Sequence, residues 1–290
     1  MGGTGKSPMI EYLLRFLKED YKIAVLSRGY KRKTTGFREV YITSKVEDVG
    51  DEPLQIKKKF PNIVVAVCAD RQEGIDRVKS NVDAILLDDA FQHRKVNASK
   101  NILLTTYHNL YVNDYVLPVG NLRESKKGAD RADIVVVTKC PDNITLATTK
   151  EIRNDLNLHS EQKIYFSKIT YDQLIYGITE KLPLSYLENK KFTLVTGIAN
   201  SGPLVDFLTK KQFDFNHQKF SDHHHFSDSE VHSLKGSNLI LTTEKDFVRL
   251  QPRLQNFPIY YLPINSTILL EQEAAFKKEI SNSLAHFGLG

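Results

Sequence analysis

Short apolar runs alternate with amphipathic stretches along most of this chain. Ile23-Ala24-Val25-Leu26, Ile63-Val64-Val65-Ala66-Val67, Ala84-Ile85-Leu86-Leu87, Ile102-Leu103-Leu104 and Ile134-Val135-Val136-Val137 are apolar at every position. Strands of this kind are covered on both faces, as in a parallel sheet flanked by helices. Between Lys6 and Lys18 the period lengthens. Met9, Leu13 and Leu17 fall on one face, with Ile10 and Phe16 beside them, which predicts a helix. The alternation predicts an α/β, doubly wound fold.

The pattern changes from about residue 162 to 187. Tyr165, Ile169, Tyr171, Leu174, Ile175 and Tyr176 are interleaved with polar residues and followed by Pro183, which reads as a strand pair linking two lobes. A second alternating set follows. Phe192-Thr193-Leu194-Val195 leads into Gly197, and a helix is expected near Pro203 to Lys210. Leu239-Ile240-Leu241 and Ile259-Tyr260-Tyr261-Leu262 are further strands, and a closing helix is expected over 271–287.

With 290 residues, 41% of them hydrophobic, the chain can bury a large core and fill two domains. Forty basic against thirty-five acidic side chains leave +5, which suits anionic substrates or an anionic membrane surface and is too weak to argue nucleic acid. Cys68 and Cys140 stand far apart in apolar stretches and read as reduced, cytosolic thiols. No apolar run is long enough to span a bilayer, and no secretory signal is present.

The chemistry begins at once. Gly2-Gly3-Thr4-Gly5-Lys6-Ser7 at the mouth of the first helix ends like a Walker A loop. Glycines let backbone N–H groups wrap a phosphate, Lys6 reaches the β- and γ-phosphates, and the Ser7 hydroxyl holds Mg²⁺. Such a loop normally hangs from a buried strand; here it starts the chain, and the expectation is a start placed too late. Asp88-Asp89 close a buried strand at a Walker B position, as metal ligands or as a solvated turn. Asp51, in Gly50-Asp51-Glu52-Pro53, reads as a helix N-cap or as a general base; Glu52 is a further candidate metal ligand. Arg123, after Pro118 and Gly120, is a candidate to stabilise transferring charge, or half of an Arg-Glu surface pair with Glu124. Asp222-His223-His224-His225 could bind metal, assist proton removal or be solvated. Thr243-Glu244-Lys245-Asp246 reads as a helix cap, and Thr138-Lys139-Cys140 as a guanine-reading motif that lacks its acid because residue 141 is Pro141.

In family order these segments resemble tetraacyldisaccharide 4'-kinase, the lipid A 4'-kinase of Gram-negative bacteria. The resemblance is carried by the opening loop, Leu26-Ser27-Arg28-Gly29-Tyr30, Gly50-Asp51-Glu52-Pro53, Asp88-Asp89-Ala90-Phe91-Gln92-His93-Arg94, Leu117-Pro118 through Leu122-Arg123-Glu124, Phe220-Ser221-Asp222-His223-His224 and Thr242-Thr243-Glu244-Lys245-Asp246. It implies a P-loop NTPase-like parallel-sheet domain (residues 1–162), a strand linker (163–187) and a smaller α/β lobe closing the cleft (188–290). It implies transfer of the ATP γ-phosphate to the 4'-hydroxyl of a tetraacyldisaccharide 1-phosphate, with Mg²⁺, by a monomer at the cytoplasmic face of the inner membrane. The family's catalytic aspartate falls on Asp51, its histidine partner on His223, and its Walker B acids on Asp88 and Asp89. A rival reading is a partitioning-type P-loop ATPase switch, whose signature lysine would stand at Met1.

Overall fold

The computed structural model describes residues 3–222 and 224–285. The chain begins with α1 (Lys6–Leu17) and β1 (Ile23–Ser27), then β2 (Arg38–Glu39), α2 (Val46–Val49) and α3 (Asp51–Lys59). It continues through β3 (Val64–Val67), α4 (Arg71–Val78), β4 (Ala84–Leu87), β5 (Ile102–Thr106), β6 (Ile134–Thr138) and α5 (Leu146–Asp155). Next come β7 (Lys163–Tyr171), β8 (Leu174–Tyr176), β9 (Lys181–Pro183), β10 (Phe192–Thr196), α6 (Gly202–Lys210) and β11 (Phe215–Lys219). The last elements are α7 (Asp228–Leu234), β12 (Ile240–Thr242), α8 (Glu244–Leu250), β13 (Ile259–Tyr261), β14 (Ile264–Ile268) and α9 (Glu273–Ala285).

The apolar runs form parallel strands as their patterning requires. One sheet has the order β2-β3-β1-β4, with β1, β3 and β4 mutually parallel and β2 antiparallel at its edge. A second has the order β14-β7-β6-β5, with β5, β6 and β7 parallel. Residues from both sheets and from α1 share one core, in which Met9, Leu13, Leu17, Val25, Val65, Ile134 and Val136 are buried. Within each sheet the parallel strands point their carboxyl ends one way, which brings Ser27 and Asp88 to one sheet's edge and Thr106 and Thr138 to the other's. The opening loop touches both, through Thr4 on Thr138 and Lys6 on Asp89, at the kind of edge where open α/β sheets bind ligands.

The smaller lobe has its own sheet, β11-β10-β12-β13-β8-β9, whose first four strands are parallel and whose β8–β9 hairpin adds antiparallel strands. The division between lobes differs from the expected boundaries in two respects. β7 does not belong to a linker; its first four residues pair with β6 and extend the first lobe's sheet. After β13 the chain leaves the smaller lobe: β14 pairs antiparallel with β7, and α9 buries Phe276 and Ile280 in the first lobe's core. The hairpin β8–β9 is the part of the expected strand pair that enters the smaller lobe.

Candidate active site

The opening loop is shaped by its glycines. Gly3 and Gly5 have φ of 79° and 88°, a region that side-chain-bearing residues rarely occupy. Gly5 stands at the N-terminus of α1 with no side-chain cap, and no acidic residue lies in the first turn. The first-turn N–H groups, together with the helix dipole, therefore favour an anion there. The loop is tied to the sheet by Thr138 at the end of β6. Its hydroxyl lies 2.8 Å from the Thr4 carbonyl oxygen and 3.1 Å from that of Thr105. Lys139 follows, its side chain reaching the surface, and partial desolvation pushes its pKa down.

Beside the loop, Asp88 and Asp89 end β4 and have opposite environments. Asp89 Oδ1 lies 2.9 Å from Lys6 Nζ, and Arg123 Nη1 donates to Asp89 Oδ2 at 2.8 Å. Burial pushes the Asp89 carboxyl up, but the two cations outweigh it and hold its pKa below the usual range. Asp88 is buried and accepts a hydrogen bond from Ser27 Oγ at 2.9 Å. Burial, and then the negative charge of Glu52, push its pKa up. Ser7 Oγ donates to Glu52 Oε1 at 3.3 Å, and Lys245 Nζ reaches the same oxygen from the smaller lobe.

A basic pocket of about 320 Å³ adjoins Asp89, lined by Arg28, Ala69, Arg71, Gln92, His93 and Arg123. Arg71 is buried and donates to the carbonyl oxygens of Cys68 and Asp88, the latter at 3.2 Å, so its charge is fixed beneath the carboxylate pair.

The two lobes meet along α3 and α8. Arg249 of α8 ion-pairs with Asp51 at the start of α3 and, at 3.3 Å, with Asp246. Asp246 is fully buried and accepts hydrogen bonds from the Gly197 N–H at 2.8 Å and the Thr243 hydroxyl at 2.7 Å. At the other end of α3, Lys59 bridges Glu11 at 2.5 Å and Glu244 at 2.9 Å. Burial, then the charge of Glu11, push the Glu244 carboxyl up to about 7.

These positions revise several expectations. Asp51 is not a helix cap: Gly50 is, and the Asp51 carboxylate faces Arg249 across the lobes instead. Both Asp89 oxygens are engaged by cations, Oδ1 by Lys6 and Oδ2 by Arg123. Arg123 does not pair with Glu124, which binds Arg94 and Arg131. His224 is held by Glu230 at 3.0 Å and stacked on Phe220, while His225 is exposed. Among the described residues no three His, Cys, Asp or Glu side chains gather as a metal site. Thr243 does cap α8, accepting from the Asp246 N–H at 3.2 Å. Gly2 and His223 lie outside the described residues.

Mg²⁺ fits this donor set without a ready-made cage, since it keeps several waters and binds phosphate oxygens with one or two carboxylates. The fit rests on Asp88: a buried carboxylate raised by Glu52, with the Ser7 hydroxyl on Glu52, is a like-charge pair that a divalent cation would relieve. Sequence reasoning missed Arg71, Lys245 and Arg249, which occupy the first or later turns of helices whose facing partners no local pattern reveals. Thr138 carries a signal in the sequence, a polar residue ending an all-apolar strand.

Known proteins resemble this chain along most of its length. A family profile described as tetraacyldisaccharide-1-P 4'-kinase covers residues 1–285. The tetraacyldisaccharide 4'-kinase of Flavobacterium johnsoniae is 48% identical over 279 residues, spanning 94% of this chain and 82% of the relative. That of Flavobacterium psychrophilum is 44% identical over 97% of this chain and 84% of its own length. That of Porphyromonas gingivalis is 37% identical over 99% and 86%. The crystal structure of LpxK from Aquifex aeolicus in complex with ATP superimposes with a TM-score of 0.77 at 28% identity, over 98% of this chain and 85% of that one.

Proposed function

The chain belongs to the tetraacyldisaccharide 4'-kinase family, and from that premise we propose how its residues carry out the reaction. The enzyme transfers the γ-phosphate of ATP to the 4'-hydroxyl of a tetraacyldisaccharide 1-phosphate, a step of lipid A biosynthesis. The observation that carries the residue assignment is the convergence of the Gly3–Ser7 loop, the Asp88/Asp89 pair and the N-terminus of α3.

ATP lies with its phosphates over the loop, held by first-turn N–H groups and Lys6. Lys6 exchanges Asp89 for phosphate oxygens, and Arg123, also on Asp89, is placed to balance charge on the moving phosphoryl group. Ser7, Asp88 and Glu52 would hold Mg²⁺, which would supply neutralisation of phosphate charge. Asp51 accepts the proton of the sugar hydroxyl, its carboxylate oriented by Arg249. His223, assigned from the family pattern, is the proposed partner of Asp51. The basic pocket of Arg28, Arg71, His93 and Arg123 suits a phosphorylated substrate.

Among the described residues no helix is long and apolar enough to cross a membrane. We read the enzyme as a monomer acting peripherally, at the cytoplasmic face of the inner membrane, where its acylated substrate resides. The partitioning-type switch gives way to the family match across the chain. The test is transfer of radiolabel from γ-labelled ATP to the disaccharide 1-phosphate in detergent. Label on the 4'-oxygen is expected; ATP hydrolysis with no labelled lipid would overturn the reading.

A further inference from the structure

The connection between β5 and β6 carries an apolar tip that the catalytic proposal does not use. Tyr115, Val116, Leu117 and Val119 are 65%, 44%, 59% and 81% exposed. Four large apolar side chains in five positions are a contiguous patch rather than scattered exposure, and such patches mark interaction sites.

The tip is built, not loose. Asp114 is buried, and its Oδ1 accepts the N–H groups of Tyr115 at 2.8 Å and Asn121 at 3.1 Å, while Oδ2 accepts from Asn121 Nδ2 at 3.3 Å. The Leu117 N–H donates to the Leu122 carbonyl, and the Leu122 N–H to that of Tyr115, both at 2.9 Å. Gly120 closes the turn; a Cβ there would stand 2.3 Å from the Tyr115 carbonyl oxygen. Polar bonds therefore fix the base and leave the apolar side chains outward, which lowers the backbone ordering cost of binding.

Charge surrounds the tip. Lys126 stands over the Tyr115 ring at 5.4 Å, Lys127 is exposed beside it, and Arg94 and Lys95 are exposed on the neighbouring segment that Glu124 bonds. The next residue after Leu122 is Arg123, which reaches Asp89. An apolar wedge with a cationic collar is the two-part signal of a surface that enters an anionic lipid interface. A tyrosine at the base of such a wedge suits the headgroup level. Four side chains fall well short of the roughly 800 Å² per partner that a stable protein interface buries.

We infer that residues 115–119 form a wedge that docks this enzyme on an anionic bilayer, setting the mouth beside Arg123 against the lipid surface. The inference rests on the peripheral-membrane reading above and adds the residues that make the contact. The chain contains no tryptophan, so Val119→Trp creates a single reporter. On vesicles of phosphatidylcholine and phosphatidylglycerol its emission should shift to the blue and be quenched by brominated acyl chains. The Leu117→Ser/Val119→Ser variant should bind those vesicles about tenfold or more weaker in sedimentation. If wild-type protein sediments with vesicles while the reporter stays unquenched and the serine variant binds equally, the wedge is refuted and the membrane reading stands. If wild-type protein does not sediment, both fail. Quenching that appears only when the lipid disaccharide is added would assign the tip to substrate acyl chains and overturn the inference.

Discussion

Asp88 and Asp89 are neighbours with opposite electrostatics, and the contrast shows how single residues divide the work. Asp89 is kept ionised by Lys6 and Arg123, the two cations proposed to meet phosphate. Asp88 is buried with a raised pKa, so its ionised form opposes folding at neutral pH. The sign follows from linkage: a carboxyl raised in the folded state favours folding below its unfolded pKa, and that contribution is lost as pH rises through the folded value. Asp88→Asn should therefore stabilise the nucleotide-free protein near neutral pH, read as a higher midpoint in urea, and flatten its pH dependence. The same variant should lower turnover by roughly a hundredfold or more through loss of a metal-facing charge. Part of this was legible beforehand, because an Asp pair after an all-apolar strand names a Walker B edge. Which acid would be buried was not, since Ser27 and Glu52 reach Asp88 from residues far away in sequence.

At the scale of elements, strands with unbroken apolar runs declared themselves, and those without did not. β11, Phe215–Lys219, is a mostly polar edge strand with no run to read, and β14 alternates too weakly to stand out. The α3–α8 contact was equally hidden: Gln55 and Lys59 look like the polar face of a surface helix, yet both bond Glu11, and Lys59 also holds Glu244. Two carboxylates compete there for one ammonium. Glu244 has a folded pKa near 7 against an ordinary 4.5, so its contribution to stability is lost as pH rises between those values. Tyr261, Arg15 and Tyr176 complete the surroundings of this cluster. Glu244→Gln should gain stability relative to wild type as pH rises from about 5 to about 8, measured by urea denaturation at both ends.

At the scale of the whole molecule, the chain's return to its first lobe is what closes the structure. α9 places Phe276, fully buried, against Tyr12 of α1 and Tyr165 of β7 at ring separations of 5.8 and 4.8 Å. The last helix thus packs on the helix that begins at the phosphate loop. Phe276→Ala should cost about 3–5 kcal/mol of stability, checked by denaturant unfolding. Two lobes were visible in the alternating runs; the late return was not, because Phe276 and Ile280 mark an apolar face without naming its partner. The lobes are joined across α3 and α8 by ion pairs that fix Asp51 and Glu52 to Arg249 and Lys245.

That junction bears on the central claim, which is that Asp51 activates the acceptor hydroxyl beside a loop that binds ATP independently of it. Steady-state transfer by Asp51→Ala, with ATP affinity measured on the same preparation, tests it directly. Turnover should fall by a hundredfold or more, about what a lost general base costs, while ATP binds as before. Lipid phosphorylation at the wild-type rate would contradict the account.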